Sequence, residues 1–266
     1  MDKQAVLAAF NEQIRRRPGP ASGDGVIETE GHVVRQMGTG WSGVAWSDLN
    51  AVGADRAIAA QVERFAQAGR LAGAACPWEW KHYSYDLPAD LPDRLLAAGL
   101  APGPAEALMV AEILDDLNLN VPPPPGVQLM PVLDRDGVDS LVAVHDEVFG
   151  GDHCAIGQAL LAGIGHQPPT TAAVVAMADG IPVSAGRVEF HPGTEFASLW
   201  GGGTLAPWRG RGVFRSLVAH RAAIASARGF RYLQVDASAD SRPILRRLGF
   251  VELATTTPFT HPGTAV

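Results

Sequence analysis

Four consecutive prolines interrupt the chain near its middle, in the stretch NLNVPPPPGV at residues 118–127. Proline fixes its own φ angle and has no amide hydrogen, so such a run cannot continue a helix or a central strand and favours a stiff extended linker. We therefore predict that a linker at residues 118–127 joins an N-terminal α/β domain, residues 1–120, to a C-terminal domain, residues 127–266. Both have the size of an ordinary domain.

The C-terminal half has a regular pattern of strands and helices. Its apolar periodicity predicts the order β-α-α-β-β-β-α-β-α-β. Asp179-Gly180 joins two β-rich runs and favours a two-residue type I′ hairpin. Apolar residues at helical spacing predict a long helix from residue 211 to 228, which connects ASLWGGGT to RYLQVDAS as parallel strands. The expected fold is α/β with a mixed sheet.

The N-terminal half carries a similar local order. A strand, a helix that begins at a proline, a glycine and a strand occur around PDRLLAAGL and again around RPILRRLGF. A diverged internal duplication explains this recurrence, and so does the general frequency of β-α-β order, so both interpretations stay open. The N-terminal half has no glycine-rich turn flanked by arginines. A duplicate would therefore have lost its cofactor site.

The stretch GGGTLAPWRGRGVF, residues 201–214, concentrates glycine and positive charge. Glycines near the end of a strand mark a bulge or a close approach, since a Cβ there would be in the way. We predict that residues 201–203 splay this strand from its parallel neighbour and that Pro207 ends its pairing. A helix that begins just afterwards offers unpaired amides and partial positive charge to a phosphate. Three arginines add bidentate donors, namely Arg209, Arg211 and Arg215.

This position, at the carboxyl end of a strand and at a parallel crossover, is a usual place for ligands in α/β sheets. The stretch therefore predicts a diphosphate site, whereas an arginine-rich surface turn is the competing interpretation. Neither the GxxxxGK[ST] motif nor a GxGxxG motif with an acidic residue on the next strand is present.

The stretch resembles the signature of the GNAT superfamily of N-acetyltransferases, which reads Arg or Gln, two residues, Gly, one residue, then Gly or Ala. Here it is RGRGVF, residues 209–214, and Phe214 departs from the small residue usual at its end. A second block, SADSRPILRRLGF, matches the short helix of that family with its Leu-Gly-Phe-like turn. The resemblance implies a GNAT-like acyl-CoA N-acyltransferase fold for the C-terminal half, with a degenerate GNAT-like N-terminal half in the case of a tandem.

The resemblance also implies acetyl-CoA binding as the acetyl donor. The pyrophosphate would lie on the amides around the turn, the pantetheine arm would pair with the splayed strand, and Ser238 could bond the pantetheine or the acceptor. The residues assigned to the cofactor are Gly202, Gly203, Thr204, Arg209, Gly210, Arg211, Gly212, Val213, Phe214, Arg215 and Ser238.

Acetyl transfer to an amine also needs a general base within hydrogen-bond reach, directly or through one water. Glu195 is our first candidate by location, with Glu189 and His191 as alternatives. The family often has a tyrosine as general acid where this chain has Leu245. Because an ordinary thiol has a pKa of about 8.5, its departure needs little help from an acid.

Composition and charge exclude several classes of binding partner. A formal net charge of -7 argues against a nucleic-acid or anionic-membrane binder. Cys76 and Cys154 form neither a CxxC motif nor a disulfide framework, and the histidines lack metal-ligand spacing with Cys154, so we expect no metal. The start of the chain lacks a signal-peptide apolar core, and no apolar run has membrane-spanning length. We expect a cytoplasmic monomer or homodimer.

The expected function is acetyl-CoA-dependent N-acetyl transfer to a primary amine of a small molecule, with a peptide amine as the lesser possibility. A non-catalytic acyl-CoA sensor or scaffold is the alternative, because Leu245 replaces the tyrosine that often acts as general acid in the family. A third interpretation keeps the phosphate site and assigns it to another phosphate-bearing ligand.

Overall fold

The structure is a computed structural model that describes residues 1–18, 25–38, 41–73 and 75–263. Its helices are α1 Lys3–Phe10, α2 Ala54–Ala72, α3 Leu91–Ala97, α4 Ile113–Asp116, α5 Arg135–Phe149, α6 Cys154–Gly165, α7 Val213–Ala227 and α8 Arg242–Arg247. Its strands are β1 Val26–Glu30, β2 Val33–Met37, β3 Gly43–Ser47, β4 Trp78–Tyr83, β5 Ala101–Pro102, β6 Glu106–Glu112, β7 Val127–Pro131, β8 Thr171–Ala178, β9 Ile181–Phe190, β10 Phe196–Thr204, β11 Tyr232–Ala237 and β12 Val251–His261. A π-helical turn covers Asn11–Arg15, and a 3₁₀ turn covers Ala206–Trp208.

The predicted order of elements in the C-terminal half is confirmed. From β7 to β12 the chain runs β-α-α-β-β-β-α-β-α-β. Asp179 and Gly180 both have positive φ, 51° and 77°, at the hairpin between β8 and β9, as a type I′ turn requires. The segment between α4 and β7 contains neither helix nor strand, in agreement with the proline run.

Contacts divide the chain into two compact units. Unit 1 comprises residues 1–14 and 109–253, and unit 2 comprises residues 15–108 and 254–266. These units differ from the predicted domains 1–120 and 127–266 because β6 and β12 each run across the division. A division at the proline linker therefore stays a prediction.

Unit 1 holds the sheet order β6-β11-β10-β9-β8-β7. Pairing is antiparallel from β7 to β10 and parallel between β10 and β11, whose connection is α7. Helix α5 contributes Leu141 and Val144 to a buried cluster with Val175 of β8. Their spacing of three along the helix puts both side chains on one face, which packs on the sheet.

Unit 2 holds the order β1-β2-β3-β4-β12. Its β3 and β4 are parallel and are connected by α2, which buries Ile58 and Phe65 against Trp78 and Trp80 of β4. Phe259 of β12 belongs to the same core and is 4% exposed. The last strand of the chain is therefore part of the core of the N-terminal region.

We expect Phe259→Ala to lower the free energy of unfolding by about 3–5 kcal/mol, because it removes a buried aromatic ring and leaves a cavity. Thr255→Ala, at an exposed position of the same strand, is the matched control and should change stability by less than about 0.5 kcal/mol. Urea denaturation measures both. Equal stability of the two variants would contradict the assignment of β12 to this core.

Candidate functional site

The parallel pairing of β10 with β11 covers only part of either strand. Residues 196–198 of β10 pair with residues 232–234 of β11, although β10 continues to Thr204 and β11 to Ala237. On its other side, β10 stays paired with β9, with a bulge between Trp200 and Gly203. The predicted splay of this strand is therefore confirmed, and a gap opens between the C-terminal ends of two parallel strands.

The three glycines of the bulge also allow two helices to approach β10 from opposite faces. A Cβ at Gly201 would lie 2.5 Å from Cε1 of His145 on α5, and one at Gly203 would be 2.9 Å from another side chain of α5. A Cβ at Gly202 would lie 3.0 Å from Cε2 of Phe214 on α7. The protein's own packing thus requires glycine here, and the phenylalanine that departs from the GNAT signature lies over the middle glycine.

The turn before α7 leaves amides available. Ser216 donates its N–H to the Gly212 carbonyl as the first bond of the helix, at 3.1 Å, so the amides of residues 213–215 have no intrahelical acceptor. Gly212 provides no side-chain cap. Gly210 and Gly212 have φ of 73° and 91°, and a Cβ on either would meet open space. The residues therefore suit a phosphate close to the backbone at the positive end of a helix.

The three predicted arginines take different positions around this turn. Nε of Arg209 donates to the carbonyl of Thr204 at 3.0 Å, so this side chain folds back onto the end of β10. The guanidinium of Arg211 lies 4.9 Å from the ring centre of Trp208. Arg215 is exposed and lines a cavity of about 330 Å³ with Arg246 and others from α7, α8 and residues 116–121.

A polar set of side chains lies where β10 and β11 part. Ser198, opposite Gln234 in the last parallel pair, has its Oγ 2.7 Å from Nε2 of His191. Ser198 is also opposite Glu189 on β9, and side chains directly opposite each other share a face. Gln234 donates to Asp236 at 3.3 Å on that strand. Burial lowers the pKa of His191, which is therefore a neutral imidazole at pH 7.

Glu189 and His191 of this set are among the candidates predicted from the sequence, whereas Ser198, Gln234 and Asp236 are not. The available signal was the spacing of Gln234 and Asp236 in RYLQVDAS, since residues two apart on a strand lie on one face. Polar residues at that spacing on a central strand indicate a functional face rather than a core face.

Glu195, our first candidate for the general base, lies just before β10, at the end away from the gap. Its Oε2 accepts from the side chain of Gln13 at 3.0 Å, and its Oε1 is 3.3 Å from Arg231. Ser238 has its Oγ 3.2 Å from the hydroxyl of Ser241, at the start of α8. The side chains of Glu195 and Ser238 are therefore already bonded to other side chains.

The corresponding crossover in unit 2 has a closed turn before its helix. The side chain of Asn50 accepts from the amides of Val52 and Gly53, at 3.1 and 2.9 Å, and Asp55 lies in the first turn of α2. The amides of residues 52–54 thus already have acceptors within this turn, and an acidic side chain lies at the start of the helix. This turn therefore differs from the one before α7, and the loss of a cofactor site from the N-terminal half stays a prediction.

Comparisons with solved structures identify the fold. The chain is similar to a GCN5-related N-acetyltransferase from Kribbella flavida, with a TM-score of 0.69 and 18% identity over 100% of this chain and 97% of that one. It is also similar to a GCN5-related N-acetyltransferase from Sphaerobacter thermophilus, with a TM-score of 0.60 and 14% identity over 98% and 93%. A tandem GNAT protein from the clavulanic acid biosynthesis pathway gives a TM-score of 0.57 and 12% identity over 98% and 95%.

The chain therefore has the GNAT fold along its full length, and the predicted fold class is confirmed. No family model and no curated protein matches the sequence. Within the described residues, no group of histidine, cysteine and acidic side chains could hold a metal ion. No helix in that part of the chain is both long and apolar enough to cross a membrane.

His145, on α5 beside the gap, has a pKa well below its ordinary value. It is 1% exposed, and its Nε2 lies 2.8 Å from the carbonyl oxygen of Gly201. Burial lowers its pKa to about 4, and the positive charge of Arg187 acts in the same direction. A neutral ring that meets a carbonyl must donate, so Nε2 carries the hydrogen.

We expect His145 to make the protein sensitive to acid. Its folded-state pKa lies below that of an unfolded histidine, so the unfolded chain binds more protons as the pH falls from 6.5 towards 4. The protein should lose about 3 kcal/mol of stability through this group over that window. Urea midpoints at pH 7 and pH 4.5 should differ less in His145→Gln than in the wild type. An unchanged difference would contradict the buried neutral ring.

Proposed function

We propose that this protein is an N-acetyltransferase that uses acetyl-CoA and acts on a primary amine of a small molecule. The observation that carries the proposal is the turn before α7, with its amides outside the helical bonding and its exposed guanidinium groups, beside a strand that has parted from its parallel neighbour. Each feature occurs alone in many proteins, but together they suit a ligand with a diphosphate at one end and an extended arm at the other.

Coenzyme A fits the residues present. Its diphosphate would lie on the amides of residues 213–215, beside Gly210 and Gly212, with Arg211 nearby. The pantetheine arm would follow residues 202–204 along the free edge of β10. The 330 Å³ cavity beside Arg215 is lined by Arg246 and Arg247 of α8 and also by Asp116, and its arginines would bind the adenosine 3′-phosphate.

The chemistry needs a free amine, a positioned thioester and a donor for the oxygen that becomes negative. The amine nitrogen adds to the thioester carbonyl carbon, the C–S bond breaks, and the products are an amide and a thiolate that takes up a proton. Holding the reactants together supplies much of the rate. An amide of the bulged strand would stabilise the oxyanion. The buried Leu245 donates no proton, and water suffices for a thiol of pKa about 8.5.

Two residues compete for the role of general base. Glu195 remains our original proposal, although its carboxylate is paired with Arg231. His191 has better support, since it is neutral, lies at the point where the strands part, and bonds Ser198, whose hydroxyl could relay a proton. A non-catalytic acyl-CoA sensor remains the alternative function, because it would need the same diphosphate site at the turn before α7.

The function is tested by measuring thiol release from acetyl-CoA against a panel of small amines and short peptides. We expect amine-dependent release with small amines, and binding without release would favour the sensor. His191→Gln should lower kcat by about 100-fold if it is the base. Glu195→Gln is the matched carboxylate variant and should stay within about threefold if its ion pair is its main role. The opposite ranking would restore Glu195 as the base.

The cofactor site is tested by Gly212→Asp, which puts a carboxylate at the turn. We expect the affinity for acetyl-CoA, measured by calorimetry, to fall by at least about 100-fold, because a like charge faces the diphosphate. Gly212→Ala strains the same positive φ without the charge and should cost much less. Equal losses would show that backbone strain rather than charge decides binding. Tighter binding of ATP than of CoA to the wild type would contradict the proposed cofactor.

A further inference from the structure

The carbonyl groups of the bulged part of β10 are held by side chains. The carbonyl of Gly201 accepts from Nε2 of His145, and that of Trp200 accepts from Nη1 of Arg221 at 3.4 Å. The carbonyl of Gly203 accepts from the hydroxyl of Ser184 at 2.6 Å. A regular strand leaves this task to the backbone of its neighbours. Here the ladder with β9 is interrupted between Trp200 and Gly203, and side chains from β9, α5 and α7 contact the carbonyls in and beside that interruption.

His145 and Arg221 reach this segment from opposite faces of the sheet. Arg221 is 1% exposed and also donates Nη1 to the carbonyl of Arg187 at 3.1 Å and Nε to a carbonyl of its own helix. A Cβ at Gly186 would lie 2.6 Å from its Nη1, so glycine on β9 makes room for it. Burial lowers its pKa to about 9, which leaves it charged at pH 7.

Burial of His145 and Arg221 is unfavourable for stability, so a purely structural role does not explain these two side chains well. The described contacts of the Arg221 guanidinium are carbonyl oxygens, and burying a charge without an opposite charge is unfavourable. Nδ1 of His145 is buried with no hydrogen-bond partner among the described residues, which is unfavourable for a polar atom. A phenylalanine or a methionine would fill either space without that cost. What the protein gains from them is a donor to a specific carbonyl.

Fixing a carbonyl also fixes the next amide. The peptide unit is planar and trans, so the N–H of Gly202 points away from the direction of the Gly201 carbonyl, and the N–H of Gly201 points away from that of Trp200. Peptides between glycines rotate more easily than others. Without a fixed carbonyl, the direction of these amides would vary, and a donor that must reorient during the reaction stabilises charge poorly.

We propose that His145 and Arg221 are positioning residues for acyl transfer, which hold the carbonyls of Gly201 and Trp200 so that the peptide units of the bulge keep one orientation and one of the amides that follow is set as the donor to the thioester oxygen. This inference rests on the proposed acetyl-CoA-dependent function. The two side chains touch neither reactant. They act through the peptide units of β10.

The first test compares His145→Phe, which keeps a ring and loses the donor, with His145→Gln, which keeps an N–H donor. We expect His145→Phe to lower kcat by about 10–100-fold while the Kd of acetyl-CoA changes less than threefold, and His145→Gln to recover part of kcat. His166→Gln, at an exposed histidine just after α6, is the control and should match the wild type. Equal kcat in the Phe and Gln variants would overturn the proposal.

The second test uses Arg221→Met, which has similar length and no charge. We expect its thermal stability to equal or exceed that of the wild type, because a buried charge is removed, while kcat falls. Arg221→Lys keeps the charge but not the planar donor and should not restore kcat fully. A parallel loss of stability, kcat and acetyl-CoA affinity in both variants would assign Arg221 to the fold alone.

A spectroscopic readout separates this inference from the proposed function. Infrared difference spectra of bound [1-¹³C]acetyl-CoA report the polarisation of the thioester carbonyl before any amine is added. We expect its stretch to lie at lower wavenumber on the wild type than in water, and to return towards the value in water in His145→Phe. If acetyl-CoA does not bind, the proposed function fails. If it binds and the stretch is the same in both proteins, the positioning role fails while the function stands.

Discussion

Parallel pairing between β10 and β11 ends at Ser198 and Gln234. The other features of the candidate site depend on the unpaired edge of β10 that begins there. An unpaired strand edge inside a sheet must either find partners or be used by a ligand. On one side of β10, the structure supplies partners in the form of side chains from two helices and from β9. On the other side the edge is left to the gap, and the turn before α7 brings amides and arginines to its open end.

The glycines of this stretch have two different roles, and both follow from the unpaired edge of β10. Residues 201–203 admit side chains of α5 and α7 to within contact of β10, so the strand is clamped from both faces. Gly210 and Gly212 do the reverse, since they leave space empty where a ligand phosphate can approach. One short stretch therefore combines a rigid part and an open part, and the proposed acyl transfer would need both a fixed donor and an accessible phosphate site.

Much of this could be predicted from the sequence, because the signals are local. The hairpin at Asp179-Gly180, the glycine-broken strand and the helix after RGRG each depend on neighbouring residues. The partners of the bulge could not be predicted in the same way. His145 lies 56 residues from Gly201, and only the folded sheet brings the two together. The carboxylate of Glu195 similarly accepts a hydrogen bond from Gln13, which lies 182 residues away in the sequence. Its position just before a strand suggests an unpaired carboxylate, and only the fold shows that it is bonded.

The way β6 and β12 run across the division between the two units has a consequence for synthesis of the chain. The core of unit 2 includes Phe259, and its strand β4 pairs with residues 256–261. A ribosome must therefore translate the turn before α7, and the chain from there to residue 261, before β12 can pair with β4 in unit 2. Until then the edge of β4 lacks β12 as its partner, and an unpaired strand edge favours misassembly with another strand.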